Sequence, residues 1–118
     1  MGSGRHRLLF RIRLDTMQNM NTFIRTDEFD HWLEDLRDAV GKARIALRIR
    51  NAGQGHFGDC ASVGDGITEM RIHCGHGYRL YFTRRGDVTY LLLLGGDKST
   101  QQHDIKRAKA LLKTLPKE

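Results

Sequence analysis

The sequence has few of the residues that stabilise small secreted proteins and no segment suited to a membrane. It contains two cysteines and one proline in 118 residues. Cys60 and Cys74 form neither a disulfide framework nor a Cys-x-x-Cys motif, so we expect two free thiols in a reducing cytoplasm. The longest apolar run, Tyr90–Leu94, is far shorter than the roughly 20 residues of a membrane span. Arg7 and Arg11 flank the short apolar stretch near the N-terminus, which excludes a secretory hydrophobic region.

Positive charge is in excess. The chain has 20 Lys and Arg against 14 Asp and Glu, a net charge of +6. Fourteen of the cations are arginines, whose planar guanidinium groups bind phosphates and carboxylates in a forked geometry. The excess predicts a polyanionic partner, and nucleic acid and an acidic protein remain alternatives.

Residues 1–19 differ from the rest and are predicted to be an N-terminal extension. They begin with Met-Gly-Ser-Gly, which is typical of an expression tag, and Met17 and Met20 are both plausible starts. A second interpretation is an extra strand or basic arm, because Phe10, Ile12 and Leu14 alternate with arginines. Residues 20–118 are then one domain, the length expected of a single core.

This domain is predicted to be α+β, in the order β-α-α-β-β-β-α. The first half has a strand at Thr22–Arg25, a helix capped by Thr26 and running to Val40, and, after a break at Gly41, a helix at Lys42–Arg50 with Ile45, Ala46 and Ile49 inward. The second half has strands at Cys60–Val63, Ile67–Cys74, Tyr78–Thr83 and Val88–Leu94, the last ended by Gly95-Gly96. A last helix is capped by Ser99, with Gln102 three residues later, and ends at Pro116. We expect the helices to cover one face of a mainly antiparallel sheet, which leaves the other face open.

The candidate chemistry lies on that open face. Glu69, Arg71 and His73 alternate along one strand, and Arg79 and Tyr81 lie on the next strand of the same hairpin. Guanidinium groups can bind phosphate, a phenol can stack on a base, and an imidazole can move a proton near neutral pH. The structural alternative is a ladder of cross-strand charge pairs in which the glutamate only neutralises an arginine.

Three further features have weaker signals. Lys98 precedes a helix N-terminus, where phosphate can bind, but an ordinary loop lysine looks the same. Arg44 and Arg48 give the second helix a basic side, which is either a solvated face or an RNA footprint. His73-Cys74-x-His76 offers three metal donors, but neighbouring residues of a strand point to opposite faces, so we predict no metal site and no cofactor.

Three segments of the sequence resemble the RelE/ParE superfamily of bacterial toxins, and in particular its HigB-like "addiction module killer protein" branch. They are Thr26–Leu36 (TDEFDHWLEDL), Glu69–Phe82 (EMRIHCGHGYRLYF) and Leu94–Asp104 (LGGDKSTQQHD). The resemblance covers about residues 21–115. It implies a metal-independent messenger RNA endonuclease that acts at the ribosome and is silenced by a helix-turn-helix antitoxin, through which the complex reaches operator DNA.

The resemblance also implies roles for individual residues. In this branch the 2′-OH of the RNA attacks the neighbouring phosphorus. His73 then matches the general base, Arg71 and Arg79 match a phosphate clamp, and Lys98 matches a further cation before the last helix. Further candidate substrate contacts, on the strength of their own positions, are Glu69, Tyr81, Arg44, Arg48 and His103.

The last helix departs from the pattern of these toxins. They carry a Tyr early in this helix or a His or Tyr near the C-terminus, where this chain has Gln101, Gln102, His103 and the tail LLKTLPKE. His103 is the one candidate proton donor in that region. The alternatives are a ParE-like inhibitor of DNA gyrase and a catalytically degenerate module that binds nucleic acid or a partner.

Overall fold

A computed structural model describes residues 20–117 and has the α+β composition that the sequence predicts. The elements are β1 (Thr22–Arg25), α1 (Asp27–Asp35), α2 (Ala39–Gly53), β2 (Cys60–Gly64), β3 (Ile67–Ile72), β4 (Tyr78–Arg84), β5 (Thr89–Asp97), a 3₁₀ turn (Lys98–Thr100) and α3 (Gln101–Thr114). Their order, β-α-α-β-β-β-α, confirms the predicted sequence of elements. The interpretation of residues 1–19 lies outside the described residues. Within those residues, no helix is long and apolar enough to cross a membrane.

The five strands form one sheet in the order β1-β5-β4-β3-β2. Strand β1 pairs with β5 in parallel, and the other three pairings are antiparallel. In the β3–β4 hairpin Arg71 is directly opposite Arg79, and Glu69 is directly opposite Tyr81. The sheet thus places the candidate residues of the two strands side by side.

Helices cover both faces of the sheet, so the expectation of one covered face is wrong. Helices α1 and α2 pack on a core that includes Phe29, Ile45 and Leu80, whereas α3 packs through Ala108 on a separate cluster that includes Tyr81. The reason lies in β5. Residues Leu91–Leu94 are all buried, and because successive side chains of a strand point to opposite faces, each face of β5 needs an apolar partner. We call these two sides the α1/α2 face and the α3 face.

The first two helices meet at a different place from the one predicted. Helix α1 ends at Asp35, and Asp38 caps α2 by accepting a hydrogen bond from the Gly41 amide at 2.9 Å. Gly41 therefore lies inside α2, and its lack of a side chain accommodates the ring of Tyr78. Ala46, predicted inward, is exposed, and Val40, predicted to end the first helix, is exposed in the first turn of α2.

The Gly95-Gly96 pair continues β5 instead of ending it. A Cβ atom at Gly95 would meet the ring of Trp32 on α1, and a Cβ atom at Gly96 would meet the carboxylate of Asp104 on α3. The pair is therefore needed for close approach on both faces, and the strand extends to Asp97. The capping box is formed by Asp97 and Thr100, not by Ser99 and Gln102, because the 3₁₀ turn starts the last helical segment earlier.

Candidate functional site

One pocket contains all four residues predicted to be catalytic. It has a volume of about 230 Å³ and lies where β3 and β4 join their connecting turn, next to the 3₁₀ turn. Arg71, His73, Arg79 and Lys98 line it. They come from three segments that are up to 27 positions apart in sequence, and the hairpin register together with the end of β5 brings them together.

Beneath the pocket lies Glu69, whose side chain is completely buried. Its Oε1 accepts hydrogen bonds from Arg71 Nε at 3.0 Å and Arg79 Nη1 at 3.1 Å. Its Oε2 accepts from the Tyr81 hydroxyl at 3.0 Å and from Gln101 Nε2 at 2.9 Å. Four donors thus compensate for burying the carboxylate.

These contacts leave Glu69 ionised despite its burial. Burial raises the pKa of its carboxyl, but the hydrogen bonds from Gln101, Arg71 and Tyr81 outweigh that effect, and the pKa is below its ordinary value. Burial and the hydrogen bond to Glu69 in turn raise the pKa of Tyr81, which remains a neutral phenol.

The predicted substrate contacts of Glu69 and Tyr81 are therefore wrong. Both side chains are fully buried because α3 covers this part of the sheet, so neither can touch an RNA in this structure. The cross-strand charge ladder, considered above as the structural alternative, is the better description of the glutamate. It is a buried version of that ladder, with one carboxylate shared by two guanidinium groups.

His73 projects from the end of β3 and pairs with Asp59. Its Nε2 is 2.7 Å from Asp59 Oδ2, and its side chain is 72% exposed. The hydrogen bond with His73 is the largest cause that lowers the pKa of Asp59, so this carboxylate is ionised at neutral pH and can only accept. It follows that Nε2 carries a proton. When the imidazole is neutral, Nδ1 is therefore the nitrogen that can accept one.

Arg48 stabilises the segment that carries Asp59. Its guanidinium donates to the carbonyl oxygens of Arg71, Phe57 and Asp59, the last two at 2.8 and 3.4 Å. These bonds join α2 to the end of β3 and to the loop before β2. Arg48 is thereby engaged with backbone, and its role as a substrate contact stays a prediction.

The other predicted cations differ in their relation to the pocket. Lys98 is exposed, and its methylene groups are close to Gly77, where a positive φ of 77° forms the turn. Arg44 is exposed on α2, one turn before Arg48, and does not line the pocket. His103 is exposed on α3 and also lies outside the pocket lining.

Metal ligands do not converge in the described part of the chain. Within residues 20–117, no three His, Cys, Asp or Glu side chains are arranged to hold a metal ion. His73 and Cys74 line the same pocket, but His73 is engaged with Asp59.

Two residues of this arrangement were missed by sequence reasoning, Asp59 and Gln101. Asp59 is 14 positions from His73 and lies in a loop, so no periodicity connects the two. Gln101 begins α3 and contacts Glu69 from a distance of 32 positions. The one available signal was the acidic residue just before β2, whose carboxylate had no predicted partner.

The fold and pocket define a small α+β protein with a cationic pocket at one end of a five-stranded sheet. No protein-family model matches the chain, and no solved structure matches it. A protein of Haemophilus influenzae (strain ATCC 51907), described as an uncharacterized protein, is 51% identical over 87 residues, which are 74% of this chain and 88% of that protein. The chain belongs to the same family as this Haemophilus influenzae protein.

Proposed function

We propose that the protein is a RelE-like toxin of the HigB-like branch that cleaves messenger RNA at the ribosome without a metal ion. The observation that carries the proposal is the convergence of Arg71, His73, Arg79 and Lys98 on one pocket. These are the four positions at which the sequence resembles the catalytic set of such toxins. The order of the elements and the antiparallel β3–β4 hairpin are compatible with a RelE-like fold.

The charges of the pocket suit a phosphodiester. Glu69 and Asp59 engage only part of the hydrogen-bonding capacity of the two arginines, and within residues 20–117 no carboxylate pairs with Lys98. Guanidinium donors that remain free can stabilise the extra negative charge of a pentacoordinate phosphorane. The pocket volume of about 230 Å³ is large enough for a phosphate group.

His73 is the general base of this mechanism. With Nε2–H held by Asp59, Nδ1 takes the proton of the ribose 2′-OH as its oxygen attacks phosphorus. The bond between phosphorus and the 5′ oxygen breaks, and a 2′,3′-cyclic phosphate and a 5′-OH are formed. In-line attack places the leaving oxygen on the far side of phosphorus, where His73 cannot reach. Lys98 is our candidate for its protonation.

The proposed setting is the bacterial cytoplasm, with messenger RNA on the ribosome as substrate. A helix-turn-helix antitoxin would be the partner that silences the toxin and connects it to operator DNA. Arg44, on the exposed side of α2, is available to contact ribosomal RNA or the antitoxin.

The test is to induce the chain in bacteria and to map messenger RNA 5′ ends, with DNA supercoiling measured in parallel. We expect growth arrest with new 5′-OH ends, and both should be lost in the double variant His73→Ala/Arg79→Ala. The matched control is Arg25→Ala/His31→Ala, which removes the same residue types from exposed positions outside the pocket. It should cleave like the wild type. Growth arrest with blocked supercoiling and no new RNA ends would instead indicate gyrase inhibition, and the absence of arrest would indicate a degenerate binding module.

A further inference from the structure

We propose that Glu69 is the positioning residue of the pocket. Its buried carboxylate orients the guanidinium groups of Arg71 and Arg79 and connects them to the first turn of α3. The inference rests on the proposed function for its catalytic consequence. Its structural content, that one buried charge sets the orientation of Arg71 and Arg79, can be tested without RNA.

The two arginines repel each other. Arg71 and Arg79 are directly opposite each other on antiparallel strands and on the same face. Like charges at such positions destabilise a sheet. Oxygen Oε1 of Glu69 accepts a hydrogen bond from each, so one anion bridges the two cations.

Arg79 pairs with no other carboxylate of residues 20–117. Its side chain is 12% exposed, and among the described residues Glu69 is its one acidic partner. Its Nε is buried without a hydrogen-bond partner. The bond from Nη1 to Glu69 therefore decides how this guanidinium is oriented. Arg71 has a second acidic neighbour, Asp59, with its Oδ1 3.5 Å from Nη1.

The other carboxylate oxygen of Glu69 is held by two further donors. Tyr81 and Gln101 hold Oε2 from β4 and α3. Because the two oxygens belong to one rigid group, donors at Oε2 determine where Oε1 lies. The nearby Asp104 is engaged with Thr100 and Arg107 and does not compete for these donors. The docking of α3 and the geometry of the pocket are thus linked through a single side chain.

The experiment compares two substitutions of Glu69, of which one keeps the size of the side chain and the other keeps its charge. Glu69→Gln keeps the size of the side chain and removes its charge, whereas Glu69→Asp keeps the charge and shortens the side chain. We expect Glu69→Gln to lower kcat for ribosome-bound messenger RNA about 100-fold with KM little changed, since misplaced groups act on the transition state. Glu69→Asp should lose less. If Glu69 only filled space, the isosteric glutamine would be the milder change, and that ranking would overturn the proposal.

A second readout does not depend on activity. In ¹⁵N-labelled wild type, the Arg71 Nε–H should exchange slowly with water, and this protection should be lost in Glu69→Gln. In a phosphate titration followed by the Arg71 Nε–H signal, we expect the wild-type pocket to bind inorganic phosphate. A wild type that binds phosphate but cleaves no RNA would refute the proposed function and leave the positioning role intact. Cleavage by wild type with Glu69→Gln unaffected would refute the positioning role alone.

Gln101→Met is the variant to use if Glu69→Gln does not fold. It has nearly the same volume, lies at a half-buried position and removes only one donor to Oε2. We expect kcat to fall several-fold and the exchange of the Arg71 Nε–H to accelerate. Unchanged values for both would overturn the link between α3 and the pocket.

Discussion

The two faces of the sheet are held by different interactions. On the α1/α2 face an aromatic cluster dominates, in which Phe23 stacks on Tyr90 at 5.2 Å and meets Phe82 edge-on at 5.8 Å between ring centroids. On the α3 face, leucines and Ala108 surround a buried polar group formed by Glu69, Tyr81 and Gln101. Two arginines that line the pocket, Arg71 and Arg79, donate to Glu69 in the second arrangement.

These two kinds of packing differ in how well they hold a charge. Aromatic packing needs close contact but fixes no particular hydrogen-bond direction. A buried carboxylate with four donors tolerates little displacement, because every donor lost leaves an unsatisfied charge out of water. The α1/α2 face therefore supplies most of the apolar stabilisation, and the α3 face fixes the orientation of the arginines.

The largest losses of stability are expected from alanine substitutions of two neighbouring glycines, each of which contacts a helix on a different face. Gly95→Ala forces the new methyl group against the ring of Trp32, and Gly96→Ala forces it against the carboxylate of Asp104. Each should lower the free energy of unfolding by about 3 kcal/mol, the upper part of the range for overpacking. Urea unfolding measures the loss. Trp32 fluorescence in the native state should change in Gly95→Ala only, and exchange of the α3 amides should accelerate in Gly96→Ala only.

The matched control is Gly86→Ala. Its Cβ would be 3.8 Å from the nearest atom, an ordinary contact with Thr89. We expect a change below about 0.5 kcal/mol. If Gly95→Ala and Gly96→Ala loosened both helices equally, the two faces would not be separable and the comparison would fail.

Sequence patterns predicted which residues share a face better than whether that face is covered. The spacing of Phe29, Trp32 and Leu33 identifies an amphipathic helix, and the structure packs all three into the core. Strand alternation correctly placed Glu69 on the same face as Arg71, but alternation cannot state whether that face is covered. The apolar run Leu91–Leu94 needs cover on both sides of β5. Whether that cover reaches Glu69 depends on α3, which starts 32 residues after Glu69.

The remaining differences are also set by tertiary contacts. The break between α1 and α2 depends on two hydrogen bonds that Asp38 accepts. One comes from the Gly41 amide and caps α2, and the other comes from the Tyr78 hydroxyl, 40 positions away. Asp59 likewise meets His73 only after the β2–β3 hairpin has formed. Local propensity does not reflect such long-range contacts. The sequence therefore predicted the cationic residues of the pocket and missed Asp59, whose carboxylate orients the His73 imidazole.

Two tyrosines of β4 give a finer comparison, since each donates its hydroxyl hydrogen to a carboxylate on a different face. Tyr78 donates to Asp38 at 2.7 Å, and Tyr81 donates to Glu69 at 3.0 Å. Tyr81→Phe should cost roughly 2 kcal/mol, because no water can replace the lost donor at the sealed Glu69. Tyr78→Phe should cost less, since the half-buried Asp38 can bind water instead. Equal losses in urea unfolding would contradict this difference between the faces.

The smallest predicted effect is the pH dependence of the Tyr78–Asp38 pair. The hydrogen bond from Tyr78 is the largest cause that lowers the pKa of Asp38 below its ordinary 3.8, so its stabilising contribution is present above pH 3.8 and is lost as the pH falls through the folded value. The same bond raises the pKa of Tyr78 from 10.0 to about 12, so that contribution is complete below pH 10 and is lost between pH 10 and about 12. The difference in unfolding free energy between wild type and Tyr78→Phe should therefore be constant from about pH 5 to 9 and shrink at both ends. The other tyrosines are present in both proteins and cancel in this difference. A difference that stayed constant to pH 12 would mean that Asp38 does not hold the Tyr78 proton, and that α2 is anchored to β4 by packing alone.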